Sequence, residues 1–153
     1  MSPIRWNKND YFISTDISLL DMDYTHHYLC HQSYWAKDVP IDVVKRSIEN
    51  SVCFGVFENN RQIGFGRVIT DKATFGYLCD IFIDPDYRGR GLSKWLVQTM
   101  FDHPELQGFR NWVLGTLDAH SLYEKFGFIV HPEPQRMMRK NNPDCYKKKD
   151  VIG

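Results

Sequence analysis

The sequence predicts an α/β (α+β) fold: a mixed, mostly antiparallel sheet of six to seven strands with one parallel pair and about four helices. Apolar runs joined by short polar turns in the middle of the chain imply an antiparallel meander. The last of these runs passes through a Gly-spaced turn into an amphipathic helix and then into another apolar run, a right-handed βαβ crossover whose two strands lie parallel. The chain has 153 residues, 42% hydrophobic and 14% aromatic, which suits one core and hence a single domain over 1–140, followed by a polar tail over 141–153.

Element by element, Tyr11–Ser14 reads as a short strand, and Arg5, Trp6, Tyr11 and Phe12 as packing and edge residues. Helices are expected over 20–31 and, after Pro40, over 41–50. Strands follow at 51–57, 63–70 and 75–83, linked by Glu-Asn-Asn-Arg and Thr-Asp-Lys-Ala turns. Beyond Gly91, Leu92, Leu96 and Met100 recur every four residues and give a helix one apolar face until Pro104 stops it. A strand at 111–114 comes next. Asp118 is placed to cap a short helix running to Phe126, and Gly127 to end it. Strands at 128–130 and 136–139 would complete the sheet.

Nineteen basic and nineteen acidic side chains cancel, so overall charge calls for neither nucleic acid nor an anionic membrane as partner, and recognition must be local. No apolar run approaches the roughly 18 residues of a membrane span, and the first residues lack a signal-peptide core, so a cytoplasmic location is expected. Cys30, Cys53, Cys79 and Cys145 have no metal-ligand or disulfide-framework spacing. His27 and His31 stand four apart beside His26 but lack a third ligand, so no metal is expected.

The most informative segment is Asp-Tyr-Arg-Gly-Arg-Gly-Leu-Ser at 86–93, between strand and helix. Gly89 and Gly91 allow a turn with no Cβ in the way, consecutive N–H groups can converge on one anion, and the helix macrodipole adds partial positive charge. Arg88, Arg90 and Lys94 crowd the same place. A phosphate-bearing ligand held against main chain is the natural occupant.

This loop after a strand, followed after the next strand by Asp-Ala-His-Ser-Leu-Tyr-Glu-Lys-Phe-Gly-Phe at 118–128, resembles the GNAT superfamily of acyl-CoA-dependent N-acetyltransferases. The resemblance extends over about 11–139. It implies a GNAT-like fold with a central splayed parallel pair, residues 79–83 beside 112–116, and a coenzyme A arm in the gap. Acetyl-CoA is then the co-substrate, with contacts from Ile81, Phe82, Ile83, Arg88, Gly89, Arg90, Gly91, Leu92, Ser93 and Thr116. The loop opens on Asp86 where Gln or Arg is usual, Ser93 stands where many members carry Gly or Ala, and Thr116 replaces an Asn that often helps hold the cofactor.

Moving an acetyl group from a thioester to an amine needs a neutral nitrogen, a polarised carbonyl and a proton for the leaving thiolate. By resemblance Tyr123 supplies that proton; the alternative is a core tyrosine beneath a short helix. For the base, Asp80 is a carboxylate in an apolar run, costly there unless paired or used. It is satisfied by backbone or an arginine, or it contacts or deprotonates the acceptor. His120, with an ordinary pKa near neutrality, competes from a short exposed helix. A water chain could equally relay the proton.

Tyr34 and Trp35 offer flat apolar area for an acceptor, and Asp10, Asp16, Asp21, Asp23, Asp38 and Asp42 against Lys37 would suit a cationic small-molecule amine, unless these aspartates are helix caps. A run of Lys147, Lys148 and Lys149 could touch phosphate or simply solvate the tail. In similar proteins C-terminal strands often pair, which here would give a homodimer involving 151–153. The other readings are a non-catalytic acyl-CoA-binding or regulatory module on the same fold and an acetyltransferase acting on protein or peptide amines.

Overall fold

A computed structural model of the chain describes residues 2–147, so Lys148, Lys149 and 151–153, with the phosphate contact and pairing expected of them, lie outside the described residues. Six strands form one sheet in sequence order: β1 (Arg5–Lys8), β2 (Tyr11–Ser14), β3 (Val52–Glu58), β4 (Arg61–Thr70), β5 (Phe75–Ile83) and β6 (Asn111–Leu114). All neighbours are antiparallel except β5 and β6, which are parallel, as the crossover through α3 (Leu92–Asp102) requires. The other helices are α1 (Met22–His27), α2 (Ile41–Glu49) and α4 (His120–Glu124). Among the described residues no helix is long and apolar enough to cross a membrane.

Turn chemistry sets the meander. Asn9 and Asn59 adopt φ of 54° and 53°, the left-handed conformation that asparagine tolerates, and reverse the chain between β1 and β2 and between β3 and β4. The sheet then buries both faces. On one, Leu92, Leu96, Val97 and Met100 of α3 cover Phe54, Val56, Ile63 and Leu78. On the other, Tyr28, Leu29, Val44 and Ile48 cover Cys53, Phe65 and Phe82. Burying each such side chain contributes about 1.5–3 kcal/mol, so the double-sided core holds the sheet rigid beneath the site.

The helical stretch expected over 20–31 is present as α1, which Asp21 starts by accepting the Tyr24 N–H and which continues without a break into a π-turn at Tyr28–Gln32, closed by Ser33 N–H to the Tyr28 carbonyl; Asp16 caps a separate 3-10 turn at Ile17–Leu19. Two expectations are corrected. Asp118 does not cap α4; Ala119 occupies that position without a side-chain bond, and the Thr116 hydroxyl accepts the Ala119 N–H. Segments 128–130 and 136–139 form no strands. Pro132 and Pro134 cannot donate to a ladder, and Pro134–Arg136 turns as a 3-10 helix. Gly127 does end α4 at φ 90°.

Candidate active site

The Gly-spaced turn joins β5 to α3. Asp84 accepts the Asp86 N–H and starts a short 3-10 turn at Pro85–Tyr87, after which Gly89 and Gly91 take φ of 78° and 75°. Gly91 is the N-cap of α3 and has no side chain to occupy the first free N–H groups of the helix. Beyond the adjoining residues no heavy atom lies within 4 Å of where a Cβ on either glycine would stand, so the turn is open there. Leu92 points into the core and Ser93 is half-buried. Arg88 and Arg90 are pinned by tyrosines: Arg88 Nη2 donates to Tyr28 Oη at 3.3 Å, and Arg90 Nη1 donates to Tyr11 Oη at 2.9 Å while its guanidinium lies over the Tyr87 ring. Positive charge therefore flanks an amide-lined turn.

Just upstream, β5 changes shape. The register runs Phe65 to Phe82 but Arg67 to Cys79, so Asp80 and Ile81 together oppose Gly66. This is a β-bulge, and Asp80 at φ 55° is its left-handed residue. On its other side β5 pairs with β6 only from Phe75–Asn111 to Leu78–Leu114. Beyond that point residues 79–83 have no β6 partner and the strands part. Phe82 is fixed by stacking on Tyr28 at 3.8 Å, and Ile83 is buried, so the free stretch is stiff.

The gap opens into a cleft of about 440 Å³ lined by Tyr34, Trp35, Tyr77, Asp80, Ile81, Thr116, Asp118 and Tyr123, among others. The sheet supplies Asp80, the loop after the π-turn supplies Tyr34 and Trp35, and α4 supplies Tyr123. Tyr123 is 9% exposed, and burial, aided by Tyr34 and Asp118, pushes its phenol up to about 12. Tyr34 Oη accepts the Leu117 N–H at 3.1 Å, tying this loop to the one that follows β6. The Tyr34 and Trp35 rings meet edge-on with centroids 5.0 Å apart.

Asp80 is both paired and at the cleft. Arg67 Nε donates to Oδ2 at 2.6 Å and Trp35 Nε1 donates to Oδ1 at 2.8 Å. Arg67 Nη1 also donates to Ser51 Oγ at 3.2 Å. Burial opposes the Arg67 charge, but Asp80 beside it more than compensates and holds the guanidinium above its ordinary pKa. Arg67→Met would strand the carboxylate with one donor. It should destabilise the fold by about 3 kcal/mol in urea unfolding, and adding Asp80→Asn should restore part of that loss.

The structure thus brings Tyr34, Trp35, Asp80, Thr116 and Tyr123 together around one cleft and sets the cradle of Gly89 and Gly91 after the same strand. His120 is exposed on α4 and does not line the cleft. Nor do the six N-terminal aspartates, two of which are the caps of Ile17–Leu19 and α1. Lys147 pairs with Asp144 at 2.7 Å. Arg67, Tyr77 and Asp118 are the site residues missed as such. The signal for Arg67 was present: a lone cation in an apolar strand, opposite a strand carrying a lone carboxylate.

A family model for GNAT acetyltransferases matches residues 17–128. The chain belongs to the GNAT acetyltransferase family. A candidate acetyltransferase of Gibberella zeae is 33% identical over 145 residues, covering 80% of this chain and 81% of its own. The crystal structure of a candidate GNAT family acetyltransferase from Xanthomonas campestris pv. campestris is 46% identical, with a TM-score of 0.87 over 90% of this chain and 97% of that one. A GNAT family acetyltransferase of Elizabethkingia anophelis, with acetyl-CoA bound, shares the fold at 16% identity and a TM-score of 0.60, covering 80% of this chain and 78% of that one. Within this GNAT protein the Gly89–Gly91 turn follows the strand whose parting from β6 opens the Tyr123 cleft.

Proposed function

We propose that the protein transfers an acetyl group from acetyl-CoA to the primary amine of a small molecule, by direct attack in a ternary complex. The observation that carries this reading is the order of three parts along the chain: a strand pair that parts after Leu78 and Leu114, a Gly89–Gly91 turn with open space where a Cβ would stand, and a buried tyrosine on the cleft beside the parted strands. The turn and the N-terminus of α3 would hold the diphosphate of coenzyme A through main-chain N–H groups, with Arg88, Arg90 and Ser93 at its rim. Residues 81–83, unpaired on the β6 side, would pair with the pantetheine amides as an added strand does, and Thr116 would contact the same arm from the facing loop.

In the cleft the acceptor nitrogen attacks the thioester carbonyl, whose oxygen takes the negative charge beside the free amides of the β5 bulge. As the C–S bond breaks, Tyr123 gives its proton to the sulfur and the amide product forms. A phenol near 12 stays protonated at neutral pH, and the burial that raises it also makes a thiolate at the same spot more basic, so the transfer is balanced. Asp80, fixed by Arg67 and Trp35, contacts the acceptor ammonium and receives its proton directly or through water, while Tyr34 and Trp35 hold the acceptor body.

Calorimetry with acetyl-CoA and an assay of amine-dependent thiol release test this together. Micromolar binding with release that requires an amine is expected. Absence of heat at millimolar acetyl-CoA would remove the proposal, and binding without release by any amine would leave only a coenzyme A-binding module.

A further inference from the structure

Resting on the acetyl-transfer reading, we infer that the acceptor is a small amine carrying a second positive charge, and that the Tyr34–Trp35 wall together with Asp118 receives that second charge. The cleft has an unbalanced charge. Its two carboxylates are Asp80 and Asp118, and none of its described lining residues is Lys, Arg or His. Arg67 beneath it is committed, with Nε on Asp80 and Nη1 on Ser51. That neutralises Asp80, whereas Asp118 makes no ion pair among the described residues. One negative charge, at Asp118, is left on a cleft it shares with two aromatic rings, and the charge also reaches Tyr123, whose phenol it helps to raise. A phosphorylated or carboxylated acceptor would meet no cation there.

The aromatic wall is built rather than incidental. Tyr34 and Trp35 are 57% and 42% exposed, yet each is held by a directional hydrogen bond, Tyr34 to the Leu117 N–H and Trp35 to Asp80. The Tyr34 bond attaches the wall to the residue adjoining Asp118. Electron-rich ring faces backed by an unpaired carboxylate attract an alkylammonium group and repel an anion. A diamine meets both carboxylates of the cleft: one nitrogen, deprotonated, at Asp80 beside Tyr123 where acetyl transfer takes place, and the other, still charged, at Asp118 and the aromatic wall.

The test is steady-state thiol release with 1,4-diaminobutane, n-butylamine and glucosamine 6-phosphate at fixed acetyl-CoA. The kcat/KM for 1,4-diaminobutane should exceed that for n-butylamine by about tenfold, more than the statistical advantage of two equivalent nitrogens, with glucosamine 6-phosphate the slowest. Asp118→Asn should reduce the diamine-to-monoamine ratio to about twofold. Equal rates for the two alkylamines, a ratio unchanged in Asp118→Asn, or preference for the phosphorylated sugar would overturn the inference while leaving acetyl transfer intact. Should no amine release thiol although acetyl-CoA binds, acetyl transfer itself fails. Calorimetry of the two alkylamines on the coenzyme A-saturated protein then decides the inference: about tenfold tighter diamine binding supports it, and equal binding overturns it.

Discussion

Replacing Tyr123 by Phe is expected to lower kcat by about 10²-fold while acetyl-CoA affinity stays within about twofold, because the substitution removes the proton donor and keeps the ring. The ring packs edge-on against Phe128, 5.9 Å between centroids, so Tyr123→Phe should fold normally and the loss can be assigned to the hydroxyl. A pH series sharpens the assignment. Burial raises the phenol to about 12, so the wild-type rate should show no fall below about pH 11 from loss of this proton, and its rising limb should follow deprotonation of the acceptor and its relay. The same shift predicts an effect on stability. The folded pKa lies above the ordinary 10, so the fold favours the neutral phenol; that contribution is complete below pH 10 and fades as pH climbs toward 12. Tyr123→Phe cannot ionise and should unfold at higher pH than the wild type in alkaline titration. Wild-type kcat in the variant would place the thiolate's proton donor elsewhere and reduce Tyr123 to a packing residue.

What could be read in advance follows from how far apart the cooperating residues lie in the chain. The turn into α3 was legible because it is local: Gly89, Gly91 and the first turn of α3 are contiguous, and backbone geometry alone sets their N–H groups. The meander was legible because apolar runs of strand length separated by short polar turns mark strands without reference to anything distant. β1 was expected only as edge and packing residues, since Arg5 and Lys8 obscure its alternation and its pairing rests on the Asn9 turn. The engagement of Asp80 needed the bulge. Without the extra residue on β5, the register that brings Asp80 to Arg67 cannot be drawn, and the Trp35 bond depends on a loop 45 positions away. The acidic N-terminal third misled for the opposite reason. Local capping satisfies Asp16 and Asp21 before any ligand can, while Asp118, which lines the cleft beside Asp80, is the one expected to be a cap.

Gly91→Ala is expected to weaken acetyl-CoA binding by about 10²-fold for a small loss of stability, and the two effects have separable causes. At φ 75° an added Cβ strains the backbone by about 1 kcal/mol, which lowers the melting temperature of a domain this size by about 2–4 °C. Packing adds nothing to that, because the Cβ would enter open space with no protein atom within 4 Å. Loss of affinity must then come from the methyl group standing where a ligand approaches main chain. Gly91→Asn separates the two: asparagine tolerates the left-handed conformation, so melting should return toward the wild type, yet its larger side chain fills the same space and binding should stay weak. Calorimetric affinity and thermal melting of both variants check this. If affinity merely followed stability, recovering in Gly91→Asn, the glycine would serve the turn alone; if affinity stayed at wild-type strength in both, the diphosphate would not rest on this turn and the cradle assignment would be wrong.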